Sequence, residues 1–361
     1  MNAEACFSQT YAEARGKFLA AAEAAGLDVH AHRHPLLGRD GEELAVDVAR
    51  FGATDAQRLL VISSGCHGVE GFCGSGVQVA LLGDPTWHAT AQAAGVAVLY
   101  VHALNPWGFS WWRRTTQENI DLNRNFVDFH QPLPVNAGYG ELARALVPAH
   151  WPPPPEAQQH IADFIAKNGY RAFQTAVSQG QHDDPEGLFF AGRDPAWSHL
   201  AWRHVLQDHA QRCTQLAWID IHTGLGPSGH GERIFSARDD AATLARARAW
   251  WGPQVTSIYD GSSTSARLSG MAFEAVYQEC PQATYTGIAI EYGTLPLDDV
   301  MQALRADQWL ENHPETEADV ALAIKRATRD AFYTDTPQWK QRIVDQAAEA
   351  VRQAVAGLAR G

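Results

Sequence analysis

Four short segments carry polar side chains that core packing would not require. The first, Ser63-Ser64-Gly65-Cys66-His67-Gly68-Val69-Glu70-Gly71, directly follows an apolar run at residues 59–63. His67 and Glu70 stand three apart in a glycine-rich turn, so an imidazole and a carboxylate can converge on one cation. Zinc accepts this nitrogen and oxygen set, and hydrolytic zinc sites keep one position open for water. Open α/β sheets bind ligands at the carboxyl ends of their strands, where this turn falls. The second segment is Asn119-Ile120-Asp121-Leu122-Asn123-Arg124-Asn125-Phe126. Its polar residues alternate with apolar ones, and Arg124 can hold a carboxylate through a planar two-pronged contact.

The third segment is Trp218-Ile219-Asp220-Ile221-His222-Thr223-Gly224. Asp220 and His222 share one face of an otherwise apolar strand. Burying either without a partner is costly, which points to a ligand histidine with a supporting carboxylate. In the fourth, Gly287-Ile288-Ala289-Ile290-Glu291-Tyr292-Gly293-Thr294, a glutamate ends an apolar strand. Such a carboxylate needs a charged partner or a raised pKa, and either suits a general base acting on activated water.

These segments need a scaffold. Residues 9–26 form an Ala-rich helix pattern closed by a glycine, and residues 29–34 and 44–51 alternate around Gly38-Arg39-Asp40-Gly41 as a β-hairpin. Apolar runs at 59–63, 96–101, 215–221 and 286–290 predict strands. Helical patterns at 76–82, 157–167, 195–211 and 241–250 lie between or beside them. Residues 126–155 are proline-rich and predict an irregular surface loop. From Glu315 onward, two Ala-rich amphipathic helices flank Thr334-Asp335-Thr336-Pro337 and are expected to pack on the sheet. The alternation predicts an α/β class chain: a single domain with a mixed, largely parallel twisted sheet flanked by helices.

His67-x-x-Glu70, then Asp121-Leu122-Asn123-Arg124-Asn125, then His222 and Glu291 resemble, in type and order, the zinc carboxypeptidases. The resemblance runs from about Leu59 to Thr294 and implies the fold of that family, phosphorylase/hydrolase-like. By it, His67, Glu70 and His222 match the ligands of one zinc ion per chain. Asp121 matches a carboxylate orienting the first histidine. Asn123 and Arg124 match the pair that grips a substrate's terminal carboxylate, and Glu291 matches the general base. Arg113 or Arg114 sits where the family has an arginine that polarises the scissile carbonyl. Tyr259 looks like the family's substrate-capping tyrosine. The chain looks nearest a bacterial branch of the superfamily with poorly defined substrates. It departs from the digestive enzymes by an expected insertion within residues 127–215. The implied activity is metallopeptidase cleavage of an amide bond. The alternative is N-acyl amino acid deacylation, as in the related aspartoacylase and succinylglutamate desuccinylase group. The substrate would be a small peptide or acylated amino acid bearing a carboxylate.

Composition narrows the classes. Twenty-eight Lys and Arg against 41 Asp and Glu leave a net charge of -13, which disfavours nucleic acid and anionic membranes. No apolar run approaches bilayer length and the start lacks a signal-peptide pattern, so a cytoplasmic location is expected. Five cysteines with no CxxC leave a metal to histidine and carboxylate. Three rivals deserve weighing. Gly71, Gly74 and Gly76 lack dinucleotide-binding spacing. Ser75 is not in a GxSxG elbow. Cys66 and Cys73 are conceivable nucleophiles. Trp107, Trp111 and Trp112 could line a cleft for an apolar side chain or simply pack.

Overall fold

The computed structural model describes residues 2–360. Its seven strands are β1 Val29–Leu37, β2 Glu43–Phe51, β3 Arg58–Ser64, β4 Ala97–His102, β5 Gln215–Ser228, β6 Gly231–Phe235 and β7 Thr284–Gly293. They form one mixed sheet in the order β1-β2-β4-β3-β5-β7-β6. The four central strands are mutually parallel and the flanking pairings are antiparallel. This is the expected single α/β domain.

Strands buried on both faces read as unbroken apolar runs. Leu59–Ile62 of β3 and all six residues of β4 are buried. β1, at one edge, is largely exposed and carries Pro35 where its register with β2 shifts. Proline and irregular pairing suit an edge, where no further strand needs the backbone donors. β6 closes the other edge; it is only five residues long and was not expected from the sequence.

Helices cover both faces. Tyr11–Ala24 starts with a reciprocal cap: Thr10 accepts from the Glu13 amide (3.1 Å) and Glu13 accepts from the Gln9 amide (2.8 Å). Gly71–Leu82 begins five residues before the expected pattern, directly after the short 3-10 turn Gly68–Glu70. A Cβ at Gly71, Gly74 or Gly76 would stand within 2.6 Å of Phe109, Ser64 or Phe7. These glycines let the helix lie close against its neighbours, which accounts for their spacing without a nucleotide. The two C-terminal helices are Ala318–Phe332 and Pro337–Arg360. The latter packs against Gly71–Leu82, β3 and β5.

Six helices were not expected: Pro85–Ala93, Pro106–Ser110, Ala137–Leu146, Tyr170–Ser178, Glu274–Glu279 and Leu297–Glu311. Ala137–Leu146 interrupts the stretch read as irregular, and the Asn136 side chain caps it by accepting from the Tyr139 amide at 3.0 Å. Among the described residues, no helix is long and apolar enough to cross a membrane.

Candidate active site

The parallel strands place the site on one face of the sheet. In β5, Trp218, Asp220 and His222 share a parity, and Trp218 packs on Trp202 of the covering helix Trp197–His209 at 4.8 Å. Ile221, of opposite parity, lies against Gly74 on the other face. β7 pairs in register with β5, setting Glu291 directly beside His222. β3 ends at Ser64, and the turn after it brings His67 and Glu70 across to the same place.

Two backbone bonds hold that turn: Gly68 N–H donates to the Arg114 carbonyl (3.1 Å) and Val69 N–H to the Arg113 carbonyl (2.8 Å). Trp112, at φ 56, precedes this pair in the left-handed region that bulky residues avoid. The two arginines then diverge. Arg113 Nε donates to Asp307 (3.1 Å) and its Nη2 to Asn119 (3.0 Å) and Gln308 (3.2 Å), so it braces the helix Leu297–Glu311 and stays out of the site cavity. Arg114 lines the cavity. Its Nη1 donates to Glu70 (3.0 Å) and its Nε to Asp121 (2.9 Å).

Three donors meet. His67 Nδ1 lies 2.9 Å from Glu70 Oε1, and His222 Nδ1 lies 3.2 Å from both His67 Nδ1 and Glu70 Oε2. Tetrahedral zinc with ligand bonds near 2.0–2.2 Å holds its ligand atoms about 3.3 Å apart, so the spacing suits one small cation. The outward nitrogens support this. His222 Nε2 lies 2.8 Å from Asp220, which also accepts from Ser63 Oγ at 2.6 Å. His67 Nε2 lies 3.2 Å from Asp121. A ring that donates from Nε2 to a carboxylate leaves Nδ1 free to ligate. His67 Nε2 also has Arg114 Nη2 at 2.8 Å, but of the two neighbours only Asp121 can accept from it.

Charge points the same way. Glu70, Asp121, Asp220 and Glu291 supply four carboxylates, while Arg114 and Arg124 supply two guanidiniums. A dication would balance the difference. The titrating groups of the cluster are shifted by burial and by one another. Burial and the neighbouring Glu70 raise Glu291 to about 7. Burial opposes charging of His222, but Asp220 and Glu70 outweigh it and hold it well above its usual range. Burial likewise works against Glu70 and Asp121; His67 and His222 hold the first low, and Arg114 and Arg124 the second.

Asn123 and Arg124 also line the cavity. Arg124 is anchored through Nε to the Ser178 carbonyl (2.8 Å) and through Nη1 to the Asn123 carbonyl (2.9 Å), and among the described residues its Nη2 has no hydrogen-bond partner. Asn123 Oδ1 accepts from the Ala272 amide at 2.9 Å. Tyr259 is not part of the cavity lining, although its neighbour Ile258 is. Its hydroxyl donates to the Ala237 carbonyl at 2.9 Å.

Sequence reasoning missed Phe189. Its ring lies 5.2 Å from the Arg114 guanidinium and 5.7 Å from that of Arg124, and its φ is 52. It also missed the wall formed by Tyr170, Phe173 and Val177 on one unexpected helix and by Val300, Met301 and Leu304 on another. The rival nucleophiles are otherwise engaged. Ser75 Oγ lies 2.9 Å from His102 Nε2 on the opposite face of the sheet, where Phe18 stacks on His102. Cys66 and Cys73 are buried, and burial pushes both thiols well above their ordinary pKa.

The arrangement is the metallocarboxypeptidase fold. Carboxypeptidase A from Helicoverpa armigera superposes with a TM-score of 0.52 at 13% identity, over 98% of this chain and 74% of that one. Bovine thrombin-activatable fibrinolysis inhibitor, solved with a tick carboxypeptidase inhibitor, gives 0.55 at 10% identity, over 98% and 97%. Within that fold, the chain belongs to the family described as "Protein of unknown function (DUF2817)", which matches residues 7–346. No curated protein matches its sequence.

Proposed function

We propose that this protein is a zinc-dependent hydrolase of the carboxypeptidase type, cleaving an amide bond next to a free carboxylate. The observation that carries this reading is the convergence of His67, Glu70 and His222, with a carboxylate behind each imidazole and Glu291 beside His222. A zinc ion held there would supply Lewis acidity and lower the pKa of a coordinated water toward neutrality.

The chain's own residues do the rest. Glu291, held by the Leu225 amide through Oε1 at 3.0 Å, takes a proton from the attacking water and returns it to the leaving amine. Arg114 turns its Nη2 from His67 to the substrate carbonyl oxygen and stabilises the charge that develops there. Arg124 offers Nη2 to the substrate carboxylate, and Asn123 lies beside it. Phe189 supports both guanidiniums through its ring face. The cavity, about 150 Å³, is walled mainly by apolar side chains, so the residue bearing the carboxylate is apolar. Tyr170, 48% exposed, stands at its mouth.

The test is hydrolysis of short peptides ending in Phe, with metal content followed in parallel. Cleavage is expected with a free C-terminus, to be lost on chelation and restored by zinc, and to fall at least tenfold when the C-terminus is amidated. Cleavage indifferent to chelator would overturn the metal reading. Equal cleavage of the amidated peptide would remove the carboxylate role from Arg124. Turnover of N-acyl amino acids with no peptide cleavage would move the enzyme to the deacylases.

A further inference from the structure

A second group of metal-ligating side chains stands at the far edge of the sheet, four strand positions from β5. His30 and His32 lie two apart on β1, so both imidazoles leave the same face. Their ring centroids are 4.5 Å apart. The helix Trp197–His209 runs along that face: its first residue, Trp197, packs on His34 at 4.5 Å, and its last turn presents Asp208. One ligand atom from each of His30, His32 and Asp208 lies within 4.8 Å of the others. Nε2 of His32 is buried and makes no hydrogen bond to another of the described residues. The same is true of Nε2 of His209, whose ring lies 6.5 Å from that of His30. Folded proteins leave few buried ring nitrogens without a protein, water or metal partner.

We propose that His30, His32 and Asp208 form a second metal site, taking a divalent ion of the zinc class and tying the edge strand β1 to the helix Trp197–His209. Two imidazoles and one carboxylate select zinc, nickel or copper over magnesium or calcium, which favour all-oxygen shells. Three protein ligands leave coordination positions open for water. The site shares no residue with the His67 group. Its role is structural: it pins an edge strand whose outer backbone groups have no partner strand.

The test is zinc stoichiometry by elemental analysis after equilibrium dialysis of the full chain against zinc chloride. The parent is expected to hold two ions and the His30→Ala/His32→Ala variant one, with its circular dichroism and hydrolytic rate unchanged. Asp208→Asn, which keeps the side-chain shape, weakens the second ion at least tenfold. His222→Ala keeps one ion, and zinc raises its melting midpoint; adding His30→Ala and His32→Ala abolishes both effects. Equal stoichiometry in the parent and the His30→Ala/His32→Ala variant would overturn the proposal. A parent that binds one ion, lost with His30 and His32 and retained without His222, would uphold it while removing zinc from the proposed catalytic site.

Discussion

Replacing Asp121 with Asn isolates the electrostatic role of one buried carboxylate. Asp121 is fully buried and meets Arg114 Nε at 2.9 Å, His67 Nε2 at 3.2 Å and Arg124 Nη1 at 3.8 Å, while its Oδ1 also accepts from the Asn123 amide at 3.1 Å. Asn keeps the shape and one acceptor but removes the charge, and it turns an NH2 group toward groups that also donate. His67 then keeps at most a neutral acceptor, weaker than the carboxylate that selects its ligating tautomer. Losing such a support costs roughly 10–100-fold in metal affinity, or about 1.4–2.7 kcal/mol. Breaking a buried ion pair costs about 3–5 kcal/mol. The low end applies here, because Arg114 keeps Glu70 and Arg124 keeps two backbone carbonyls. Competition with a chromogenic chelator reads the first quantity, and urea denaturation of the metal-free protein reads the second. An Asp121→Asn protein that folds and binds zinc within twofold of the parent would refute the bracing of His67.

Glu291→Gln is expected to retain zinc while losing about 10²–10⁴-fold in turnover, the usual worth of a positioned general base; a rate within threefold of the parent would take that role from Glu291. His102 carries a prediction unrelated to catalysis. Burial lowers its pKa from 6.5 to about 4, so between those values the unfolded chain binds a proton that the folded chain refuses. The contribution is fully present above pH 6.5, falls as pH drops toward 4, and amounts to about 3 kcal/mol. Urea titrations at pH 4.5 and 7 on the parent and on His102→Gln should show a smaller pH dependence in the variant. Equal dependence in both would place the acid sensitivity elsewhere.

Much of the floor of the site was legible because polar residues interrupt strands that are otherwise unbroken apolar runs. Asp220 and His222 share a parity, and a parallel register carries that face across to Glu291. The choice between Arg113 and Arg114 was not legible. Neighbouring residues of one type have no distinguishing pattern, and their directions follow from the chain turning at Trp112 and from Asp307 on a distant helix. Tyr259 was placed by analogy, and in the structure its hydroxyl is committed to Ala237. The walls were also hidden. Phe189 and the helix Tyr170–Ser178 come from a stretch whose local pattern says nothing of where it docks, and packing against Arg114 and Arg124 is a tertiary fact.

The floor and walls therefore carry different kinds of information. An apolar wall can be built from many segments, because burial rewards area and is indifferent to direction. A cluster of four carboxylates and two guanidiniums on one buried face has no such latitude. Each unpaired charge there is expensive, so the residues must arrive in matched positions, and the excess negative charge asks for a cation. Burial and Glu70 push Glu291 toward its protonated form, and Asp220 and Glu70, against burial, do the same to His222. A dication held there would compete with the proton on His222, and the excess of carboxylates over guanidiniums would favour it.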